Sequence, residues 1–254
     1  MAGQKNEKSV VKINQKTQQA FHAEAASAPV RRYRAMLFQG MLLLVAGSFA
    51  VLTFLVKTMP SLAIDLQITQ FIQLINIPFF ALFMRMISWP GFLPQSLIIT
   101  ALTILLIYRF GLQWESLMAL FAATFSAGVN VLVKDLIQRP RPTAGMVNVI
   151  STLTSYSFPS GHVMFYLGYF GFVAFLVFSL LKPSLKRNLL LVLLCSLIIL
   201  VGLSRIFLGQ HWASDVLGAY LLGSLTLVMV IQFYRWGKTR FFVHQSVADA
   251  TLQA

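Results

Sequence analysis

From Leu189 to Leu203 the chain reads LLLVLLCSLIILVGL, a run with neither charge nor proline. A stretch of this kind constrains the fold more than anything else in the sequence. About 20 apolar residues in helix cover the roughly 30 Å of a bilayer's hydrocarbon. Within lipid every backbone N–H and C=O needs a partner inside the protein, so a spanning segment of this length is a helix. Comparable runs recur at residues 35–56, 92–108, 117–134, 162–181 and 215–236, which predicts six crossings.

The composition agrees. Hydrophobic residues make up 57% of the 254, charged residues only 11%, and the mean hydropathy is +0.76. Soluble domains carry about 25% charge. The chain is therefore expected to be an all-α polytopic membrane protein. Its formal charge of +13, from 20 Lys and Arg against 7 Asp and Glu, would suggest nucleic acid in a soluble protein. In a membrane protein the same excess flanks spans and meets anionic lipid, so no nucleic-acid partner is expected. The single cysteine, Cys195, excludes an internal disulfide and a cysteine-rich zinc centre and reads as a small core residue.

Residues 1–34 are polar and read as a basic cytoplasmic tail, with Lys5, Lys8, Lys12, Lys16, Arg31, Arg32 and Arg34 available to anionic headgroups. Residues 35–236 form the membrane domain and 237–254 a short cytoplasmic C-terminal tail. After the first span, Pro60, Asp65, Pro78, Arg85, Pro90 and Gly91 interrupt the apolar pattern. The segment 62–75 suits an interfacial amphipathic helix, and 77–87 a re-entrant piece shielded by protein. Assigning most Lys and Arg to the inside leaves Lys57, Arg85, Lys134, Arg139, Arg141 and Arg205 outside. Cations that defy this rule point to function, and four of these six fall in two short stretches near histidines.

Three polar stretches land on that outer side. In Ser204-Arg205-Ile206-Phe207-Leu208-Gly209-Gln210-His211-Trp212-Ala213-Ser214-Asp215, helix from His211 onward would put His211 and Asp215 on one face at i, i+4. A carboxylate there fixes the histidine tautomer and stabilises an imidazolium. Arg205 supplies a permanent charge with forked donors suited to phosphate. Lys134-Asp135-Leu136-Ile137-Gln138-Arg139-Pro140-Arg141-Pro142 ends a span with cations and then prolines. Phe158-Pro159-Ser160-Gly161-His162 opens another, with Ser160 as N-cap, Gly161 allowing close backbone approach and His162 above a helix N-terminus that attracts anions.

Together these stretches resemble the type 2 phosphatidic acid phosphatase superfamily, whose signature is K-x6-RP, PSGH and SR-x5-H-x3-D. The matches are Lys134 with Arg141-Pro142, Pro159-Ser160-Gly161-His162, and Ser204-Arg205 with His211 and Asp215. The resemblance covers residues 35–236. It implies a metal-independent, cofactor-free phosphatase in which His211 forms a phosphohistidine, His162 protonates the leaving oxygen and Asp215 orients His211. It also implies that Lys134, Arg141, Ser160, Gly161 and Arg205 bind the phosphate. Arg139-Pro140 is a rival RP pair at shorter spacing, which leaves Arg139 as a rim residue.

Positions at span ends lie near headgroups, so the expected partner is a membrane lipid: phosphatidic acid, phosphatidylglycerol phosphate, or a polyprenyl pyrophosphate such as undecaprenyl pyrophosphate. The loop 143–158, rich in Ser and Thr, is expected to cover the headgroup. Both termini would be cytoplasmic and the site extracytoplasmic. Two alternatives share these residues: a lipid phosphotransferase using the same intermediate, and a non-enzymatic anion transporter. Transporter sites, however, lie nearer the midplane.

Overall fold

A computed structural model describes residues 28–59, 62–151 and 153–243. The expected N-terminal tail up to residue 27 and the last residues of the C-terminal tail lie outside them. Helices make up all the regular structure among the described residues. In chain order they are α1 (Ala28–Thr58), α2 (Ala63–Gln73), α3 (Pro78–Ser88), α4 (Gln95–Arg109), α5 (Gln113–Ile137), α6 (Gly161–Leu180), α7 (Leu185–Phe207) and α8 (Ala213–Lys238). The chain divides into two units, Met1–Leu44 and Val45–Ala254. The first contributes the opening turns of α1, and the second holds everything described below.

Five helical stretches are long and apolar enough to cross a membrane: Pro29–Thr58, Gln113–Ile137, Gly161–Leu180, Leu185–Phe207 and Ala213–Phe241. The sixth crossing differs from the sequence expectation. In place of one span at 92–108, α4 has only 15 residues, about 22 Å at 1.5 Å per residue, which is short of the hydrocarbon thickness. It qualifies as a span only together with Pro78–Gly91, to which it is bent by 59°. The cause lies in Trp89-Pro90-Gly91-Phe92-Leu93-Pro94, where a 3-10 turn at Trp89–Gly91 ends α3 and the second proline stands immediately before α4.

What holds the break is α6. The Tyr166 hydroxyl donates to Ile87 O at 2.6 Å and the Tyr169 hydroxyl to Thr100 O at 3.3 Å, one on each side of the bend. A π-helical turn over Tyr166–Phe170 widens the buried face of α6, so that Tyr166, Tyr169 and Phe170 all point inward. Opposite them α5 presents small or slender residues, Met118, Ala119 and Ala122, and Val201 of α7 with Val216 and Ala219 of α8 complete the core. At Gly168 a Cβ would stand 2.8 Å from Ser126 Cβ, and the Ser126 hydroxyl donates to Met164 O at 2.8 Å. Small residues at such a crossing let the backbones approach, as membrane helix packing requires.

Helix α2 is amphipathic as expected, but two of its polar residues lie inside: Asp65 and Thr69, one turn apart, are buried and Ile68 and Ile72 pack beside them, while Ile64 and Phe71 are exposed. The helix packs on α7 and α8. Cys195 is exposed on α7 and does not join the core.

Candidate active site

α5 and α7 end, and α6 and α8 begin, around one polar cluster. Lys134, in the last turn of α5, donates from Nζ to Tyr156 O at 2.6 Å and to Ser157 O at 3.4 Å. Gln138 then takes a left-handed conformation (φ 56°), its N–H bonding back to Lys134 O at 2.9 Å, and the chain leaves the helix. Lys57 caps the same terminus, donating to Leu136 O at 2.9 Å and Ile137 O at 3.2 Å, which accounts for one outer cation by helix electrostatics. Arg141, three residues on, donates from Nε to Ser155 O at 2.7 Å and from Nη2 to Tyr156 O at 3.1 Å. The loop expected to cover a headgroup thus serves first as scaffold for both cations.

The Arg141 Nη1 atom also lies 3.1 Å from His211 Nε2. Guanidinium can only donate, so this contact requires a lone pair on Nε2 and places the hydrogen on Nδ1. His211 Nδ1 is 3.5 Å from Asp215 Oδ2. The expected i, i+4 helical pair is achieved differently: α8 begins at Ala213, and His211 precedes it. Asp215 caps the helix start, accepting at Oδ2 from Trp212 N at 2.9 Å, and this cap turns the carboxylate back toward the ring. Burial first, then the charges of Arg141, Lys134 and Arg205, hold the His211 imidazole well below its ordinary pKa, so it is neutral at neutral pH.

Ser160 stands at the N-cap position of α6, but its hydroxyl makes no capping bond, and Oγ is buried without a protein partner. Ser160 N donates to Asp215 O at 3.1 Å, joining the starts of α6 and α8. Gly161 sits over Asn130, where a Cβ would lie 3.2 Å from the amide oxygen. His162 Nε2 is likewise buried and unpartnered, within electrostatic reach of Arg205, His211, Arg141 and Lys134. Arg205, near the end of α7, is fully buried. Its Nη1 donates to Ser88 Oγ at 2.6 Å, its Cζ lies 5.1 Å from the Phe92 ring centre, and Nε and Nη2 have no partner among the described residues. Acceptor-poor, donor-rich and buried, the cluster is complementary to a phosphate, whose oxygens accept from such groups.

The α3–α4 break forms one wall. Ser88 holds Arg205, Phe92 meets His162 edge-on with ring centres 4.5 Å apart, and Gly91 backs the same imidazole. A Cβ on Gly91 would fall 2.9 Å from His162 Cγ and 3.0 Å from Nε2, so the ring would have to move. His162 is the proton donor expected from the sequence, and displacing such a group by about 1 Å costs on the order of 10²-fold. Gly91→Ala is accordingly expected to lower kcat by about tenfold to a hundredfold with the thermal midpoint preserved, checked by turnover and melting of the same preparation.

All eight residues singled out in the sequence belong to this cluster or its supports. Sequence reasoning missed the wall and also two charges behind it. Arg139, expected at the rim, is 1% exposed and lies between Asp65 and Asp215 at 2.7 Å from each. Chain reversal at Gln138 sends Arg139 inward while Arg141 faces the cluster. The available signal was Asp65 itself, the lone carboxylate of the segment 62–75, one turn from Thr69.

Residues 115–238 match the PAP2 superfamily. Phosphatidylglycerophosphatase B of Bacillus subtilis (strain 168) is 34% identical over 122 residues, covering 47% of this chain and 58% of its own, and human dolichyldiphosphatase 1 is 27% identical over 153 residues, covering 57% and 62%. The chain thus spans less than two thirds of the length of these relatives. A crystal structure of a transmembrane PAP2 type phosphatidylglycerolphosphate phosphatase from Bacillus subtilis superimposes with a TM-score of 0.69 and 27% identity, covering 79% of this chain and 98% of that one. Aquifex aeolicus LpxE shares the fold at a TM-score of 0.54 and 20% identity, over 68% of this chain and 98% of its own.

Proposed function

We propose that this chain, whose residues 115–238 match the PAP2 superfamily, is a phosphatase hydrolysing a lipid phosphate or isoprenoid pyrophosphate through a phosphohistidine, without a metal ion. The observation that carries the reading is the convergence of unpartnered buried polar atoms, Ser160 Oγ, His162 Nε2 and Arg205 Nε and Nη2, beside a histidine whose Nε2 carries a lone pair.

In the proposed reaction the Nε2 lone pair of His211 attacks phosphorus, the N–P bond forms and the P–O bond to the lipid breaks. The proton on His162 passes to the departing oxygen. Asp215 faces the positive charge that develops on the His211 ring. Lys134, Arg141, Arg205, Ser160 and the Gly161 N–H neutralise the equatorial oxygens, a task that metal ions share in other phosphoryl-transfer enzymes. Water then attacks phosphorus, giving its proton to His162, and the P–N bond breaks. The site lies at the ends of spans, where a lipid keeps its chains in the bilayer while presenting phosphate. An extracytoplasmic position follows from the positive-inside assignment of the loops. A phosphoester or pyrophosphate on a lipid also suits the names of the two relatives, a phosphatidylglycerophosphatase and a dolichyldiphosphatase.

The test is release of inorganic phosphate by the purified protein from vesicles containing phosphatidic acid, phosphatidylglycerol phosphate or undecaprenyl pyrophosphate. Release that persists in EDTA supports the reading. Strict dependence on Mg²⁺, or flux of phosphate across the vesicle without hydrolysis, would overturn it.

The depressed pKa of His211 predicts the pH response. The neutral ring is the nucleophile, and protonation removes its lone pair. Because the pKa is held below 6.5, that loss sets in only well below 6.5. After correction for the substrate phosphate, which itself titrates near about 6, kcat/KM should show no acid limb between pH 6 and 8 assignable to His211. kcat/KM reports the free enzyme, which makes it the appropriate quantity.

A further inference from the structure

Behind His211 the charges continue inward. Asp65 of α2, Arg139 after the α5 terminus, and Ser214 and Asp215 at the start of α8 form one buried network, exposed by 1%, 1%, 7% and 0%. Asp65 Oδ1 accepts from Ser214 N at 2.8 Å. Asp65 Oδ2 accepts from Arg139 Nη2 at 2.7 Å and from Ser214 Oγ at 2.5 Å. Arg139 Nη1 in turn donates to Asp215 Oδ1 at 2.7 Å and to Ser214 Oγ at 2.6 Å. The other oxygen of Asp215 accepts from the Ser157 hydroxyl and from Trp212 N, and faces His211 Nδ1.

We propose that Asp65 and Arg139 are positioning residues of the reaction assigned above: Arg139 clamps Asp215 by one oxygen so that the other addresses His211, and Asp65 holds Arg139 in place and offsets its charge. The inference rests on the phosphatase reading and adds to it two residues that the three motifs leave unspecified.

Charge counting gives the reason for both members. Asp215 alone beside Arg139 would make a neutral pair, with little field left for a positive His211 ring. Asp65 restores a net charge of −1 to the Asp65–Arg139–Asp215 group, and the signs then alternate through to the phosphorylated imidazole. Without Arg139, the buried carboxylates of Asp65 and Asp215 would lose the cation that bonds to both. Asp65 also supplies an acceptor to Ser214 N, an amide at the α8 N-terminus that has no partner within its own helix. The cluster therefore fixes the direction in which α8 presents Asp215. Stability alone is a weak explanation for it, because buried ion pairs are often matched or exceeded by apolar residues of similar volume. Partners behind a reactive histidine, by contrast, commonly change activity by 10 to 100-fold.

The test uses the full chain in detergent or vesicles, with enzyme in excess over a lipid phosphate, and reads the first-order rate constant of a single turnover. At saturating enzyme that constant is insensitive to how many molecules are folded, so a purely structural role would leave it unmoved. Asp65→Asn and Arg139→Gln are expected to lower it by about 10 to 100-fold, with complete final phosphate release and KM within about threefold. Ser214→Ala, which removes only the shared hydroxyl, should lower it by a smaller factor and serves if either charge variant fails to fold. A rate constant within twofold of the parent in a folded Asp65→Asn, or in Ser214→Ala where Asp65→Asn does not fold, would overturn the proposal. Absence of phosphate release from the unsubstituted protein would instead count against the phosphatase reading itself.

Discussion

Replacing His211 by alanine is expected to lower kcat by about 10⁴-fold or more, because the proposed covalent route through Nε2 would disappear and water would have to attack a phosphate held only by cations. The surroundings of the ring make this the largest single effect. His211 is 1% exposed, its Nε2 faces Arg141 at 3.1 Å, and its Nδ1 faces Asp215 at 3.5 Å. Few neighbours could replace it, since His162 is held by Phe92 and Gly91 on the opposite wall. Lipid binding should survive, as Lys134, Arg141 and Arg205 remain, so KM should move far less than kcat. Steady-state kinetics of the variant on vesicles checks both numbers. A residual kcat within tenfold of the parent would assign the nucleophile elsewhere.

Arg205 carries the second large effect. Its guanidinium is fully buried, held by one hydroxyl and one aromatic ring, and among the described residues it forms no ion pair with a carboxylate. Burying a cation in this state costs several kcal/mol, which the Ser88 hydroxyl and the Phe92 ring offset only in part. In the proposed reaction the phosphate supplies the missing counter-charge. Arg205→Met, of similar length and apolar, is therefore expected to lower kcat by about 10³-fold while its thermal midpoint in detergent holds or rises. Arg205→Lys should retain little of the activity, because an ammonium cannot bond Ser88 and two phosphate oxygens in one plane. Activity and thermal unfolding of the two variants decide it; a fall in midpoint with activity kept would make Arg205 a structural residue.

How the site became legible in the sequence depended on what each residue had to do. Lys134, Arg141, Ser160, Gly161, His162, Arg205, His211 and Asp215 stood out because polar groups at the ends of apolar runs carry their own signal, and span direction sorted them onto one side. The long helices were legible for the same reason. The α3–α4 break was harder. Pro90 and Pro94 marked an interruption, but its partner is the hydroxyl pair of Tyr166 and Tyr169, a tertiary contact that no local pattern announces. The segment expected to be re-entrant and the span expected to follow it are two halves of one bent pair.

Asp65 and Arg139 were harder still. In water, an amphipathic helix turns its apolar face to the core. α2 instead also buries Asp65 and Thr69, beside Ile68 and Ile72, and exposes Ile64 and Phe71. A moment calculated along the sequence gives the existence of two faces, and the solvent decides which one is inside. For Arg139 the deciding feature was a single left-handed residue, Gln138, which sets the direction of everything after it.

The central claim is covalent attachment of phosphorus to His211, and trapping the intermediate tests it most directly. The purified protein is mixed with lipid carrying radiolabelled phosphate, quenched in denaturant at alkaline pH, and digested. A phosphohistidine at His211 gives label that resists alkali, is lost in acid, and resides on the peptide containing His211, with none in His211→Ala. Label on another residue, or full turnover with no phosphorylated protein at any quench time, would contradict it.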